Sequence, residues 1–432
     1  MKSLNYSSMI IFCSVVFGVA FSFTGIMEAD AAEFNVYDTT TLRLAVQQAN
    51  SDEEEDTINV HAGRYMLDDG EGPVKITSDI SIIGEDPSTT IIDGNLETGI
   101  FVISDSSNSA IQNLEITSGY GDWDNIGDSN YYGGGVKNRG NLILKNCWLK
   151  DNVAGRGGGF FNEGDLTVKN CAISGNDVWG SGGGGGYIVG GSVTISDCAF
   201  FENSNGGELD SALRIENGTV TIKRSKFFDN LGGDIGRAIG NGGILTMIGC
   251  EIINNGGGIR NWGVAIIKKS LIQNNISYDG AGGIANYGEM VVKDSTIAGN
   301  HLVLGGGGIR NRGQIKVFNS SITGNWSDHG GGIWSGNYGA PGAKMFLNHC
   351  LISENEAWTD GGGIYNNGDE LIINQSWIES NIVQYPFDEG VGGIYDIAGT
   401  CTIRHTIISS NTPVDCYPED LCAIDAEFVG KE

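Results

Sequence analysis

The strongest constraint on this chain is a repeat. Gly133–Asn152, Gly157–Asn176, Gly256–Asn275, Ala281–Asn300 and Gly306–Asn325 align on one pattern: G-G-G-[IVF]-x-N-x-G, an alternating strand, a small residue, x-[IL], then Asn. Weaker copies begin near Gly184, Ser211, Arg237, Gly330, Gly361 and Gly392. Each unit holds two or three short strands and leaves no room for a helix. A strand-only unit of about 25 residues cannot bury its apolar face alone, so units must stack. Stacking at about 4.8 Å per unit gives parallel sheets that coil into a solenoid. The handedness rule for parallel crossovers makes it right-handed. The expected fold is all-β, a right-handed parallel β-helix of about 13–14 coils with a short N-terminal cap helix.

Composition agrees with strands and tight turns. Gly is 69 of 432 and Pro is 6, which excludes collagen, because collagen needs Gly at every third position and abundant Pro. Hydrophobic residues make up 40%, in short alternating runs that can bury a core, so the chain is not disordered. The net charge of −28 repels phosphate backbones and makes nucleic acid a poor ligand. It also repels acidic polysaccharides unless a cation such as Ca²⁺ bridges them.

Two columns of Asn recur along the repeat. The first runs through Asn152, Asn176, Asn203, Asn230, Asn255, Asn275, Asn300, Asn325, Asn355, Asn381 and Asn411. The second runs through Asn138, Asn162, Asn217, Asn241, Asn261, Asn286, Asn311 and Asn366. Asn tolerates a left-handed turn and can bond the backbone of the next coil, so both columns read as structural ladders. A third column alternates Cys with Ser: Cys147, Cys171, Cys198, Ser225, Cys250, Ser270, Ser295, Ser320, Cys350 and Ser376. Stacked side chains pointing one way sit too far apart for disulfides and cannot surround a metal. They read as buried free thiols. Cys416 and Cys422 lie outside the register and form the expected disulfide.

The ends differ from the body. Lys2, the apolar run Met9–Phe23 and Ala29-Asp30-Ala31 read as a signal peptide over residues 1–31, so export is expected. Residues 32–70 form the N-terminal cap and first strand, with TTTLRLAVQQAN at 39–50 as an amphipathic helix starting at a Thr cap. The helix over residues 39–50 turns Leu42, Val46 and Ala49 to one face. The β-helix spans 71–411 and a C-terminal cap or tail spans 412–432. The mature chain has no further membrane-length apolar stretch, and a monomer is expected.

With these residues in view, the chain resembles right-handed parallel β-helix repeat proteins of the pectin-lyase-like superfamily. Within it, the chain is similar to secreted polymorphic outer-membrane-protein-like repeat proteins. The resemblance rests on the GGGI…N units, on LRLAVQQAN…DTINVHAGRY and ISIIGEDPSTTIIDGN, and on the closing AIDAEFVG. It implies a fold that hosts lyases, hydrolases, epimerases and adhesins, and so no one activity. Trp326-Ser327-Asp328-His329 faintly matches the W-x-D-H of pectate lyases, but it follows a ladder Asn and is expected in a turn. His349 and His405 precede the small core position and read as strand residues.

One edge combines aromatic rings with carboxylates. The turns after the ladder Asn carry Trp123, Trp179, Tyr278, Trp326, Asp328, Trp358 and Asp360. Rings for the apolar sugar face and carboxylates for hydroxyls or Ca²⁺ make a sugar-binding strip. A basic stripe, Lys137, Arg139, Arg260, Arg310 and Arg312, is the main cationic feature; it pairs with acidic neighbours or holds an acidic sugar. The expected function is a secreted or surface β-helix protein that binds an extracellular polysaccharide or cell-surface glycan without chemistry of its own. The alternative is a polysaccharide lyase. No cofactor is assigned, with Ca²⁺ the one ion to consider.

Overall fold

The computed structural model describes residues 31–422, apart from 52–53, 124–130, 181, 207–209, 233–236, 279, 281, 337–341, 369, 386–389 and 398–399. The expected signal peptide therefore lies outside the described residues, save Ala31.

The repeat folds as a right-handed parallel β-solenoid of about 14 turns, as the stacking argument predicts. Three sheets run its length. The long sheet has 15 strands, from Glu33–Val36 to Thr400–Arg404. The glycine-led sheet has 14, from Val74–Ile76 to Cys416–Tyr417. The short-strand sheet has 14, from Gly63–Met66 to Ile407–Ser409. In the coil Val136–Ala154 the chain passes through glycine-led strand Val136–Asn138, long strand Asn141–Lys145 and short strand Trp148–Lys150. Alternation sends Leu142, Leu144 and Leu149 inward, each fully buried. Burying such a side chain contributes about 1.5–3 kcal/mol, and every coil repeats the gain.

The triple glycine has a two-part cause. Its first member turns left-handed, as at Gly133 (φ 66°) and Gly157 (φ 64°). Its last two lie against the next coil: a Cβ on Gly135 would sit 2.5 Å from the Gly159 carbonyl oxygen.

The first Asn ladder is continuous. Asn275 Oδ1 accepts from the Asn255 backbone N–H (3.0 Å) and Nδ2 (3.0 Å), and Asn275 Nδ2 donates to Asn300 Oδ1 (2.9 Å) and the Ile252 carbonyl (3.0 Å). At the C-terminal end Asp415 Oδ1 takes the place of the next amide, accepting from Asn411 Nδ2 at 2.8 Å. The left-handed residue is not the ladder Asn but the one before it, such as Asp151, Asn254 and Asn274. The second ladder is interrupted. Asn162 aligns with Ile188 and Ile215, and the amides resume at Asn241. Asn217 is out of register, because the strand Asp210–Ile215 ends before it.

Cys147, Cys171, Cys198, Cys250 and Cys350 are buried free thiols, and Cys401 is a half-buried one. Cys416 and Cys422 are disulfide-bonded, with Cα atoms 5.9 Å apart. The helix forms at Thr39–Ala49 and buries Leu42, Ala45, Val46 and Ala49 over the opening coils. Its cap is Asp38 rather than a Thr: Asp38 accepts from the Thr41 N–H, and Thr41 reaches back in a capping box. His349 and His405 are not strand residues. Both occupy left-handed bends (φ 53° and 49°) where the long sheet turns into the short-strand sheet.

Candidate functional site

The expected turn edge is largely strand. After the ladder Asn the chain stays extended and pairs with the coil below, which makes two corner sheets. One has four strands, from Val153–Ala154 to Leu231–Gly232; the other has five, from Ile276–Ser277 to Ile382–Val383. The short coil between Asn255 and Asn275 omits a corner strand and separates them. Trp326–His329 is thus a strand, not a turn: the Trp326 N–H donates to the Asn300 carbonyl at 2.9 Å.

This arrangement divides the predicted strip. Trp179 follows the four-stranded corner sheet and is 46% exposed. Tyr278 follows the first strand of the five-stranded one and is 66% exposed. The Trp123 backbone pairs with Tyr131, and its side chain lies outside the described set. Trp326 and Trp358 do not share a register, because Trp326 aligns with Glu356. Their rings pack separately, Trp326 on His301 at 4.2 Å and Trp358 on Tyr385 at 4.3 Å. Asp360 lies 3.7 Å from His329 Nδ1, which is also 2.7 Å from Thr359 Oγ1. Burial raises the Asp360 carboxyl above its ordinary pKa, with His329 opposing.

A second feature lies on the glycine-led sheet. In the unit I-x-N, Ile and Asn point into the core, so x forms a row on the other side of the sheet that rises one coil at a time; Lys137, Phe161, Tyr187, Arg310 and Trp334 in it are nonetheless buried. Aromatic residues occupy its N-terminal part, with Phe161 and Tyr187 stacked at 5.7 Å. Arginines occupy the middle, at Arg214, Arg260 and Arg310. Trp334, Tyr365, Tyr395 and Tyr417 complete it, the last three 5.5 and 5.2 Å apart. The residue after each Asn of the second ladder adds a parallel row. Arg260 lies over Trp262 at 4.4 Å and over Tyr287 at 5.0 Å. Arg312 lies over Tyr287 at 5.7 Å and Trp334 at 5.6 Å. The His329 ring, 5.3 Å from Tyr365, joins this face to the corner sheet.

Beneath the arginines is a buried ion network. Asp210 is fully buried, 2.9 Å from Arg214 Nη1 and 3.5 Å from the buried Arg237 Nη1. Burial pulls the Arg237 pKa down, and the Asp210 charge opposes it. Gly240 is required here, since a Cβ would stand 1.9 Å from Asp210 Oδ2.

The basic stripe read from the sequence is therefore half of a mixed face. Arg260, Arg310 and Lys137 lie in its first row and Arg139 and Arg312 in the second. Trp262, Tyr287, Trp334, Arg214 and Tyr187 belong to it and were not singled out. Their signal was available at the two x positions of I-x-N-x. Among the described residues no group of three or more His, Cys, Asp or Glu is placed to hold a metal, so no residue is assigned to Ca²⁺. Among them, too, no helix is long and apolar enough to cross a membrane.

No curated protein matches the chain. Several solved structures are similar in fold. PfbA, a surface adhesin of Streptococcus pneumoniae, shares 11% identity over 89% of this chain and 93% of its own, with a TM-score of 0.43. The catalytic unit of a GH87 α-1,3-glucanase from Streptomyces thermodiastaticus shares 15% over 91% and 71%, with a TM-score of 0.46. A PL6 alginate lyase solved with a trisaccharide shares 15% over 88% and 88%, with a TM-score of 0.42. At these scores none carries its function across. Residues 98–274 match the family model for the right-handed beta helix region, and in that stretch the chain is a β-helix by sequence as well as by geometry.

Proposed function

We propose that this protein is an exported carbohydrate-binding β-helix whose glycine-led face holds an acidic glycan, without chemistry of its own. One observation carries the reading. Guanidinium groups and aromatic rings interleave over successive coils, with Arg260 against Trp262 and Tyr287, and Arg312 against Tyr287 and Trp334. Trp262 and Tyr287 are open to solvent and can stack on the apolar face of a sugar while Trp334 is buried, and a guanidinium forks a carboxylate or sulfate through two parallel hydrogen bonds. Coil spacing repeats the pair at a regular step, which suits a polymer.

The test is a glycan array run with and without Ca²⁺, followed by titration of the best acidic hit. Arg260→Ala combined with Trp262→Ala is expected to weaken binding at least tenfold with the circular dichroism spectrum unchanged. Unchanged binding removes this face from the function. Trp326→Ala with Trp358→Ala tests the corner sheet in the same assay.

A lyase reading keeps one supporting observation, the contact of His329 with Thr359 and Asp360 beside Tyr365. Such a group can move a proton when a uronate stands on the arginines. Rising ultraviolet absorbance from an unsaturated product on pectate or alginate, abolished by His329→Ala, would replace binding with catalysis.

A further inference from the structure

We infer that the long sheet carries a second, separate binding surface, a lysine column that takes a linear polyanion bearing phosphate charges along the solenoid axis. The last residue of each long-sheet strand points outward in one register. From Lys145 this column reads Lys145, Lys169, Ser196, Lys223, Ile248, Lys268, Lys293. It continues through Phe318, Asn348 and Asn374 to Arg404. No acidic residue interrupts it, so the net charge of −28, which makes the chain as a whole a poor partner for phosphate, is reversed locally along this column.

The column is arranged against its own electrostatics. Lys145 stands directly beside Lys169, and Lys268 beside Lys293, one coil apart. Like charges opposed at about 4.8 Å destabilise a sheet. Elsewhere the chain resolves the same geometry with ion pairs across coils, as in Lys226–Glu251 (2.9 Å) and Lys344–Glu370 (3.4 Å). Among the described residues, Lys145, Lys169, Lys223, Lys268 and Lys293 make no ion pair within 4 Å; the nearest compensation is Asp197, whose carboxyl the Lys169 charge helps to hold down and which is itself paired with Arg224. A bound polyanion would relieve the repulsion. Beside the second lysine pair, Ile266, Val291 and Phe318 line a shallow trough of about 510 Å³, which gives the polymer a bed.

The shape favours a chain over a flat surface. The lysines span roughly 29 Å, six coil steps of about 4.8 Å, in a single file. The opposite margin of the same face carries Asp165, Glu289 and Glu370, which would meet an anionic bilayer at the same time. The ammonium group also differs from the forked guanidinium of the other face. It is a compact point charge with three rotatable donors, which meets the tetrahedral oxygens of a phosphate chain without a preferred plane, whereas the arginine fork adds planar, two-bond recognition of carboxylate as well as phosphate.

Long-chain inorganic polyphosphate is the probe, titrated into the purified protein at several salt concentrations. Lys268→Gln with Lys293→Gln is expected to weaken binding about tenfold and to lower the salt slope by about two. Lys145→Gln with Lys169→Gln should act similarly, and Arg260→Ala should leave polyphosphate binding intact. Equal loss in the Arg260 variant would merge this site with the arginine face and overturn the proposal. So would no binding, or binding indifferent to both lysine pairs. Tighter binding of polygalacturonate through the same lysines would overturn the phosphate assignment. Vesicles rich in phosphatidylglycerol that bind as tightly as polyphosphate would overturn the linear geometry. Unchanged thermal unfolding of the variants excludes misfolding, since all four lysines project from the surface.

Discussion

The two Asn ladders are made of one residue type, yet one is unbroken and the other has gaps. The first runs from Asn152 to Asn411 without substitution. The second gives way to Ile188 and Ile215, then to Ser335 and Asp396. The difference lies in what the amides satisfy. At the first ladder the chain turns a corner where strand pairing lapses, and the side chain accepts from the backbone N–H left over there, such as that of Asn255, while donating to a carbonyl of the coil below, such as that of Ile252. At the second, Asn261 Nδ2 bonds the next amide and two carbonyls near the start of the long sheet. There an isoleucine packs inward and the sheet closes without the amide. A buried polar column is indispensable where it completes the backbone and replaceable where it supplements it.

Substitution tests that contrast directly. Asn275→Ala strands the Asn255 N–H in the interior and takes one bond each from the Asn255 side-chain amide, the Ile252 carbonyl and Asn300 Oδ1, which keeps the Asn275 N–H. At about 1–3 kcal/mol for the orphaned N–H and about 0.5–1 kcal/mol for each other bond lost, a loss on the order of 2–5 kcal/mol is expected in urea unfolding. Asn261→Ile installs the residue the chain itself uses at 188 and 215, and should cost about 1–2 kcal/mol. Equal losses at the two sites would break the comparison.

The Cys and Ser column behaves like the second ladder with a smaller side chain. Cys171 Sγ accepts from the Cys147 N–H at 3.4 Å and donates to the Lys169 carbonyl at 3.3 Å. Ser225 Oγ does the same for the Cys198 N–H and the Lys223 carbonyl. The two residues alternate because they make the same two bonds. Cys171→Ser is therefore expected to change stability by less than about 1 kcal/mol. In native buffer the column should resist alkylation, since burial pushes the Cys250 and Cys350 thiols up. Denaturant should release six reactive thiols and leave Cys416–Cys422 paired.

These columns were legible in the sequence because inward positions repeat. The Gly, Ile, Asn and small residues of each unit are dictated by the unit below, and the period shows through. The outward positions obey no such rule. Trp262, Tyr287 and Trp334 stand at x in I-x-N-x, where neighbouring coils have Gly242, Arg312 and Arg310, so alignment by similarity discards them. The strand at Trp326–His329 was hidden for another reason. Its pairing comes from the coil below, through the Asn300 carbonyl, and nothing local in Trp-Ser-Asp-His requires extension. The interrupted second ladder misled in the opposite direction, since Asn217 offered a residue of the right type two positions beyond the strand.

The smallest expected effect separates the ladders by their ends. Both finish on a carboxylate, Asp415 for the first and Asp396 for the second, where Asn366 Nδ2 donates to Asp396 Oδ1 at 2.7 Å. Burial raises the Asp396 carboxyl above its ordinary value of 3.8, and the Asn366 bond opposes that. The folded state then holds the proton more firmly than the unfolded chain does. The stability this contributes is fully present below the unfolded pKa and is lost as pH rises through the folded one. Asp396→Asn keeps the shape and the accepting oxygen and removes the ionisation. The variant should match the wild type in acid and exceed it at neutral pH by less than about 1 kcal/mol, because the site is partly open to solvent. Cys401 supplies a readout independent of stability. Its thiol is pushed up to about 12, first by burial and then by the Asp396 charge. In the Asn variant Cys401 should therefore ionise at lower pH and alkylate faster in alkaline buffer. An unchanged Cys401 rate together with a flat pH difference would mean that the second ladder ends on a solvated carboxylate.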